Sequence, residues 1–221
     1  MELTEAIKSR KSIRAYKPEP VPKETLLNVM EAARHAVSWG NSQPWEFAVL
    51  GGKQMEEVRE TLYNKPNSGE GFEPDFPYST FMEPYEHRIA QIAGQIWKTF
   101  DAAPENEADT QRVMALMRRN YDAPHMIVSY VDRSLDVLSL LDVGAAIQLV
   151  LLEAHNCGLG CCVMAATAGY PDDMRRILKL PESKKIIVGI SLGYPDWDSP
   201  KNQWQRHKES VDQYTSWYGF E

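Results

Sequence analysis

Apolar and polar residues change their spacing repeatedly along this 221-residue chain, and each change marks an element boundary. Leu3 and Ile7 lie one helical turn apart among polar neighbours, which predicts a short first helix ending at the Arg10 segment. Pro22-Lys23-Glu24-Thr25 opens a second helix with proline in its first turn. Leu26, Leu27, Met30, Ala33 and Ala36 or Val37 form its apolar stripe, and it stops near Ser38. The run Trp45-Glu46-Phe47-Ala48-Val49-Leu50 reads as a strand between Pro44 and Gly51-Gly52, and helical spacing returns from Lys53 to Tyr63. Two polar helices are expected at 85–101 and 108–120. Pro124 introduces a β-rich run from His125 to Val131, and Ser134 is placed to cap a long helix from Leu135 to about Asn156, ended by Gly158 and Gly160. Leu159 to Met164 suggests a buried strand, Pro171 starts a short helix to Leu180, and Lys185 to Leu192 forms a last strand before Gly193-Tyr194-Pro195.

Two segments follow neither period. Residues 64–84 hold Pro66, Gly69, Gly71, Pro74, Pro77 and Pro84 interleaved with Phe72, Phe76, Tyr78 and Phe81, the composition of either a lid or a packed surface loop. Residues 196–221 carry Trp197, Trp204, Tyr214, Trp217, Tyr218 and Phe220, too much aromatic surface to leave in water, so this arm is expected to wrap something large. No shift in composition divides the chain, and 1–221 reads as one domain with a sizeable core.

Charge removes several classes of function. The chain has 24 basic and 31 acidic residues, a formal net charge of −7, and no basic run able to track a nucleic-acid backbone. The longest apolar tract, Leu135 to Leu152, is broken by Asp136, Asp142 and Gln148, which predicts a buried helix and no membrane span. Met1-Glu2-Leu3-Thr4-Glu5 is no secretory signal, so a cytoplasmic location is expected. Cys157, Cys161 and Cys162 crowd into six residues, an odd number that makes no disulfide framework; Cys161 and Cys162 should face opposite sides of a strand and pack, without a metal. His35, His87, His125, His155 and His207 stand in no context that suggests acid–base work.

Candidate chemistry begins at Arg10-Lys11-Ser12-Ile13-Arg14. In an extended segment Arg10, Ser12 and Arg14 point to one side, where guanidinium and hydroxyl donors could meet a phosphate; the same cluster would equally serve as the cationic end of the first helix. The order of further motifs changes the weighing. After Arg10-x-Ser12-x-Arg14 come Asn41-x-Gln43-Pro44-Trp45-x-Phe47, Ala123-Pro124 before a strand, Asp142-x-Gly144 with Gln148 in a long helix, Gly158-Leu159-Gly160, Gly193-Tyr194-Pro195 and a late Arg206. From about residue 3 to about residue 210 the chain resembles the FMN-dependent nitroreductase family.

That resemblance implies an α+β fold, a central and mainly antiparallel sheet flanked by helices, built as an intertwined homodimer with flavin sites at the subunit interface. The 196–221 arm would extend over the partner, burying Trp204, Tyr214 and Trp217 there, and residues 64–122 would be the variable lid or insert region. It implies FMN as cofactor and NAD(P)H as electron donor. Arg10, Ser12 and Arg206 would hold the phosphate, with Lys11 acting through its backbone or as a peripheral charge. Arg14 would place a cation at the pyrimidine edge of the ring, or serve as a second phosphate ligand. Ser38 and Asn41 would reach the flavin from the partner subunit, and Met164, Ala165 and Ala166 would bring backbone close to flavin N5. Trp39 and Tyr121 are candidates for the substrate pocket. The implied reaction passes hydride through N5 to a nitroaromatic, quinone or similar conjugated acceptor by a ping-pong scheme. Dehalogenation, alkene reduction, or a non-catalytic flavin carrier or sensor are the alternatives.

Overall fold

The computed structural model describes residues 1–65 and 71–220, so the expectations attached to Pro66 and Gly69 lie outside the described residues. Strands β1 (Glu46–Leu50), β2 (His125–Asp132), β3 (Gly160–Met164) and β4 (Lys184–Gly193) form one sheet in the order β1-β2-β4-β3, antiparallel at every pairing. Among the described residues seven α-helices surround it: α1 (Leu3–Ser9), α2 (Lys23–Glu31), α3 (Gly52–Asn64), α4 (Tyr85–Thr99), α5 (Glu107–Arg118), α6 (Val137–Asn156) and α7 (Pro171–Leu178).

Alternation along the strands assigns the two faces. Ile127, Ile190, Leu192 and Cys161 pack against Val29 of α2 and Val150, Leu151 and Ala154 of α6. Met126 and Val128, one position over, and Ile186, carried to the same face by the register shift between Ser129 and Tyr130, pack against Met55, Val58 and Leu62 of α3 and Met174 and Ile177 of α7. Cys162 joins a third cluster with Phe100, Val113, Tyr121 and Met164, so Cys161 and Cys162 do face opposite sides of β3. Burial pushes the Cys161 thiol up to about 12, which suits a packing role.

Helix α6 has the length and apolar composition of a membrane span, yet Val143, Ala146, Val150, Leu151 and Ala154 are buried in the fold. Its opposite stripe, Val137, Leu138, Leu141, Gly144 and Gln148, is uncovered within one chain, and Leu141 is 71% exposed.

The structure corrects four details. Helix α2 ends at Glu31, well before Ser38; a 3-10 turn over Ala32–His35 keeps Ala33 in the core, and the chain is extended at Ala36 and Ser38 to start the following loop. Ser134 does not cap α6. The Asp136 carboxylate does, accepting from the Leu138 and Ser139 amides at 3.0 and 3.3 Å, while the Ser134 hydroxyl is taken up by the Asp132 carboxylate at 2.7 Å. Trp204 is not left for a partner: it is 8% exposed within its own chain, with its indole N–H donating to the Ser12 carbonyl at 3.2 Å, whereas Tyr214 and Trp217 remain exposed. Tyr121, expected at the substrate pocket, is 5% exposed in the third cluster, drawn in because its ring packs against Phe100 with centroids 6.2 Å apart.

Candidate functional site

At the end of α1 the Arg10 amide closes onto the Ala6 carbonyl at 3.1 Å, and the chain becomes extended. Ser12 then forms a parallel bridge to Cys161, with the Ile13 amide donating to the Cys161 carbonyl at 2.9 Å. The segment is thus laid along the free edge of β3. Its facing is set by Ile13, whose buried side chain sits over Gly160; a Cβ there would come within 2.6 Å of Ile13 Cγ1. Ile13 occupies the inner side, so Arg10 and Ser12 face outward together.

They face an open cleft of about 630 Å³, whose other walls are α4, with Arg88, and the C-terminal arm, with Arg206, Lys208 and Tyr214. Burial, and then the Arg206 cation, push the Arg10 guanidinium below its ordinary value. Arg10 has no carboxylate partner among the described residues; Glu209, the acid of this cleft, pairs with Arg88 at 3.2 Å. Arg206 is held by a hydrogen bond from its guanidinium to the Lys8 carbonyl. Two cations from opposite ends of the chain, beside a hydroxyl, form a site with the chemistry of a phosphate cradle.

Arg14 faces a neighbouring position. Its guanidinium stacks 4.9 Å over the Trp204 ring, and its buried Nη1 has no hydrogen-bond partner. A buried unpaired donor of this kind costs about 1–3 kcal/mol, a cost that an acceptor from a ligand would remove. Burial raises the neighbouring Tyr121 phenol well above its usual range, with Arg14 opposing the rise. Lys11 turns away from the cleft, donating to the Asn202 carbonyl at 2.5 Å and lying 5.7 Å over the Trp197 ring.

At the far end of β3, Met164 leads into a 3-10 turn over Ala165–Gly169. Four residues of strand place Ala165 about 13 Å beyond the Ser12 bridge. Arg10 and Ser12 on one side, and Met164, Ala165 and Ala166 on the other, therefore mark the two ends of one strand edge.

The 38–43 loop does not join them within one chain. The Ser38 hydroxyl accepts from the Gln43 amide at 3.0 Å, and the Trp39 amide donates to the Asp142 carboxylate on α6 at 3.1 Å. Gly40, Asn41 and Gln43 all have positive φ, at 57, 57 and 49°, a strained backbone of the sort that persists where surrounding structure imposes it. Trp39 is 86% exposed beside the uncovered stripe of α6.

The sequence profile of the nitroreductase family matches residues 7–194. The chain belongs to the nitroreductase family. It is 30% identical over 192 residues to nitroreductase NfnB of Mycolicibacterium smegmatis, covering 86% of this chain and 81% of that one. It is 26% identical over 217 residues to a nitrobenzene nitroreductase of Ectopseudomonas oleovorans, covering 97% and 96%. Among solved structures, the FMN and NADPH-dependent nitroreductase NfnB from sphigopyxis sp. strain HMH superposes with a TM-score of 0.96 at 26% identity over the whole of both chains.

Within this nitroreductase-family protein, the sequence reading passed over Arg88, Lys208 and Asn202, and it assigned Tyr214, which lines the cleft, to the partner surface. Lys208 stands two residues after Arg206 and repeats the alternation of Arg10 and Ser12, a signal that could have found it. Nothing local marks Asn202, a fully buried clasp between the arm and the Arg10–Ala15 segment. His125 is structural: its Nε2 accepts from the Val21 amide at 2.9 Å, which leaves Nδ1 to donate to the Leu50 carbonyl at 3.1 Å.

Proposed function

We propose that this nitroreductase-family chain is an FMN-dependent NAD(P)H oxidoreductase acting as a cytoplasmic homodimer on nitroaromatic, quinone or similar conjugated acceptors. The observation that carries the reading is the convergence of Arg10 and Arg206, both without a carboxylate partner among the described residues, on the Ser12 side of one cleft, with the buried Arg14 Nη1 beside it. The donor set fits a mononucleotide. Arg10, Ser12 and Arg206, joined by Lys208, would hold the terminal phosphate, and Lys11 contributes through its backbone. Arg14 would set a fixed cation at the pyrimidine edge, where it favours the charge that develops on reduction. The small side chains of Ala165 and Ala166 let main chain lie close to the ring. FMN, when bound, supplies hydride acceptance and donation at N5, and the protein supplies orientation and charge.

The dimer follows from what one chain leaves uncovered. Val137, Leu138 and Leu141 on α6 form an apolar stripe with Gly144, where no side chain obstructs close approach of a second helix. The Asp142 carboxylate anchors the 38–43 loop to that stripe, so a partner seated there would deliver Ser38, Trp39 and Asn41 to the opposite site. Leu141→Arg should therefore give a monomer in sedimentation velocity and lose most of its flavin. A dimer with normal flavin loading would place the interface elsewhere.

The test of function is the visible spectrum of the purified protein before and after anaerobic NADPH and then NADH. Bound flavin that bleaches and is reoxidised by a nitroaromatic or quinone is the expected result, with ping-pong kinetics. Flavin that binds and does not bleach would make the protein a carrier. A colourless protein that takes up no FMN would overturn the proposal.

A further inference from the structure

The 72–78 segment is fastened to the turn that follows β3. The Glu73 amide donates to the Gly169 carbonyl at 2.9 Å. The Phe72 ring lies so close over Gly169 that a Cβ there would fall 1.9 Å from Phe72 Cε2, and it meets Tyr170 edge-on with centroids 5.8 Å apart. The Asp75 carboxylate accepts from the Ile186 amide at 2.8 Å and from the buried Arg175 at 2.6 Å, tying the segment to β4 and α7. The last fastening differs from the others: the Tyr78 hydroxyl donates to the Ala165 carbonyl at 2.6 Å. Part of the aromatic insert is thus a strap over the 165–170 turn.

We infer that Tyr78 is a positioning residue that holds and polarises the peptide joining Ala165 to Ala166, making the Ala166 N–H a stronger donor toward the flavin ring. The inference rests on the proposed FMN site, in which that stretch of backbone meets the ring. The carbonyl of Ala165 and the N–H of Ala166 belong to one conjugated amide. A hydrogen bond accepted at its oxygen draws electron density from its nitrogen, so the N–H dipole grows. An N–H dipole aimed at a ring that gains electron density on reduction favours that reduction and costs no reorganisation when it occurs. Neither Ala165 nor Ala166 has a side chain able to supply a donor, and the amide stands in for one. Burial raises the Tyr78 phenol above its usual value, which keeps the hydroxyl proton in place across the working range of pH.

Tyr78→Phe removes one oxygen from a side chain that is 49% exposed and leaves the Phe72, Glu73 and Asp75 fastenings intact, so the fold survives the change. Wild type and variant would be compared as purified holoenzymes for flavin content, flavin midpoint potential, rate of anaerobic bleaching by NADPH, and KM for a nitroaromatic acceptor. The expected result is unchanged flavin content and acceptor KM, a more negative midpoint potential, and bleaching slowed by up to about twofold, the share of one hydrogen bond that polarisation by a neighbouring bond carries. A variant with wild-type potential and bleaching rate overturns the inference. So does a change confined to acceptor KM, which would put the hydroxyl on the substrate, or a loss of flavin, which would make the strap part of the binding scaffold. Wild type that neither binds nor bleaches flavin refutes the underlying function and is seen before the variant is measured.

Discussion

Arg10→Ala and Arg206→Ala should each weaken FMN binding by about 1.5–3 kcal/mol, the range for a hydrogen bond to a charged group. That is roughly a ten- to hundredfold rise in the dissociation constant, read by titrating FMN into flavin-free protein. The two variants should differ in the absence of FMN. Arg10 faces the Arg206 cation without a carboxylate, so its removal relieves like-charge repulsion, and the melting temperature of the flavin-free protein should hold or rise. Arg206 also binds the Lys8 carbonyl, so its removal should loosen the arm. Cys161→Ala is the control: its side chain packs in the core away from the cleft, and flavin content should stay intact. Normal FMN affinity in both arginine variants would show that the phosphate lies elsewhere.

The second large effect is expected at Asn202, outside the cleft. Its Nδ2 donates to the Ala15 and Asp196 carbonyls at 2.9 and 2.7 Å, and its Oδ1 accepts from the Arg14 amide at 2.8 Å. The residue is fully buried. Asn202→Ala leaves the Arg14 amide without a partner, at about 1–3 kcal/mol, and takes one of two donors from each carbonyl, Ala15 keeping the Asp196 amide at 3.1 Å and Asp196 the Ser199 amide at 3.4 Å. With the two lost donor bonds the net loss is about 2–4 kcal/mol, which for a chain of this size lowers the melting temperature by about 4–16 °C. FMN affinity should fall with it, because the same clasp holds the Arg10–Arg14 segment against the arm that carries Arg206. Asn202→Asp, which retains the acceptor for the Arg14 amide and loses both donors, should fall between wild type and Asn202→Ala. An Asn202→Ala protein with wild-type melting and affinity would show that the clasp carries none of the site's geometry.

Each residue of that clasp illustrates how far local pattern reaches. The order of helices and strands was legible because each element buries one face, and burial of one face imposes a period of 2 or 3.6 on the sequence. Most boundaries fell within a few residues. The misplaced ones, the end of α2 and the cap of α6, lie where competing local groups decide: a 3-10 turn against an α-helical one, and Asp136 against Ser134. The common facing of Arg10 and Ser12 was legible because alternation in an extended segment carries side-chain direction. Direction failed for Trp204, whose orientation comes from Ser12 across more than 190 residues of chain. It failed also for Tyr121, whose segment runs through three successive left-handed residues, Asn120, Tyr121 and Asp122, a run that only Asn and Asp among these types adopt readily.

Element order, the opposed facing of Cys161 and Cys162, and the family-like succession of motifs all depend on spacing along the chain and could be read from it. That Arg206 meets Arg10, that the arm turns Trp204 inward onto Arg14, and that the aromatic insert straps the 165–170 turn through Tyr78 could be seen only in the folded chain. Those arrangements rest on hydrogen bonds and ring contacts between residues about 90 to 200 positions apart, and their partners are chosen by the packing of the whole sheet, which no window of sequence contains.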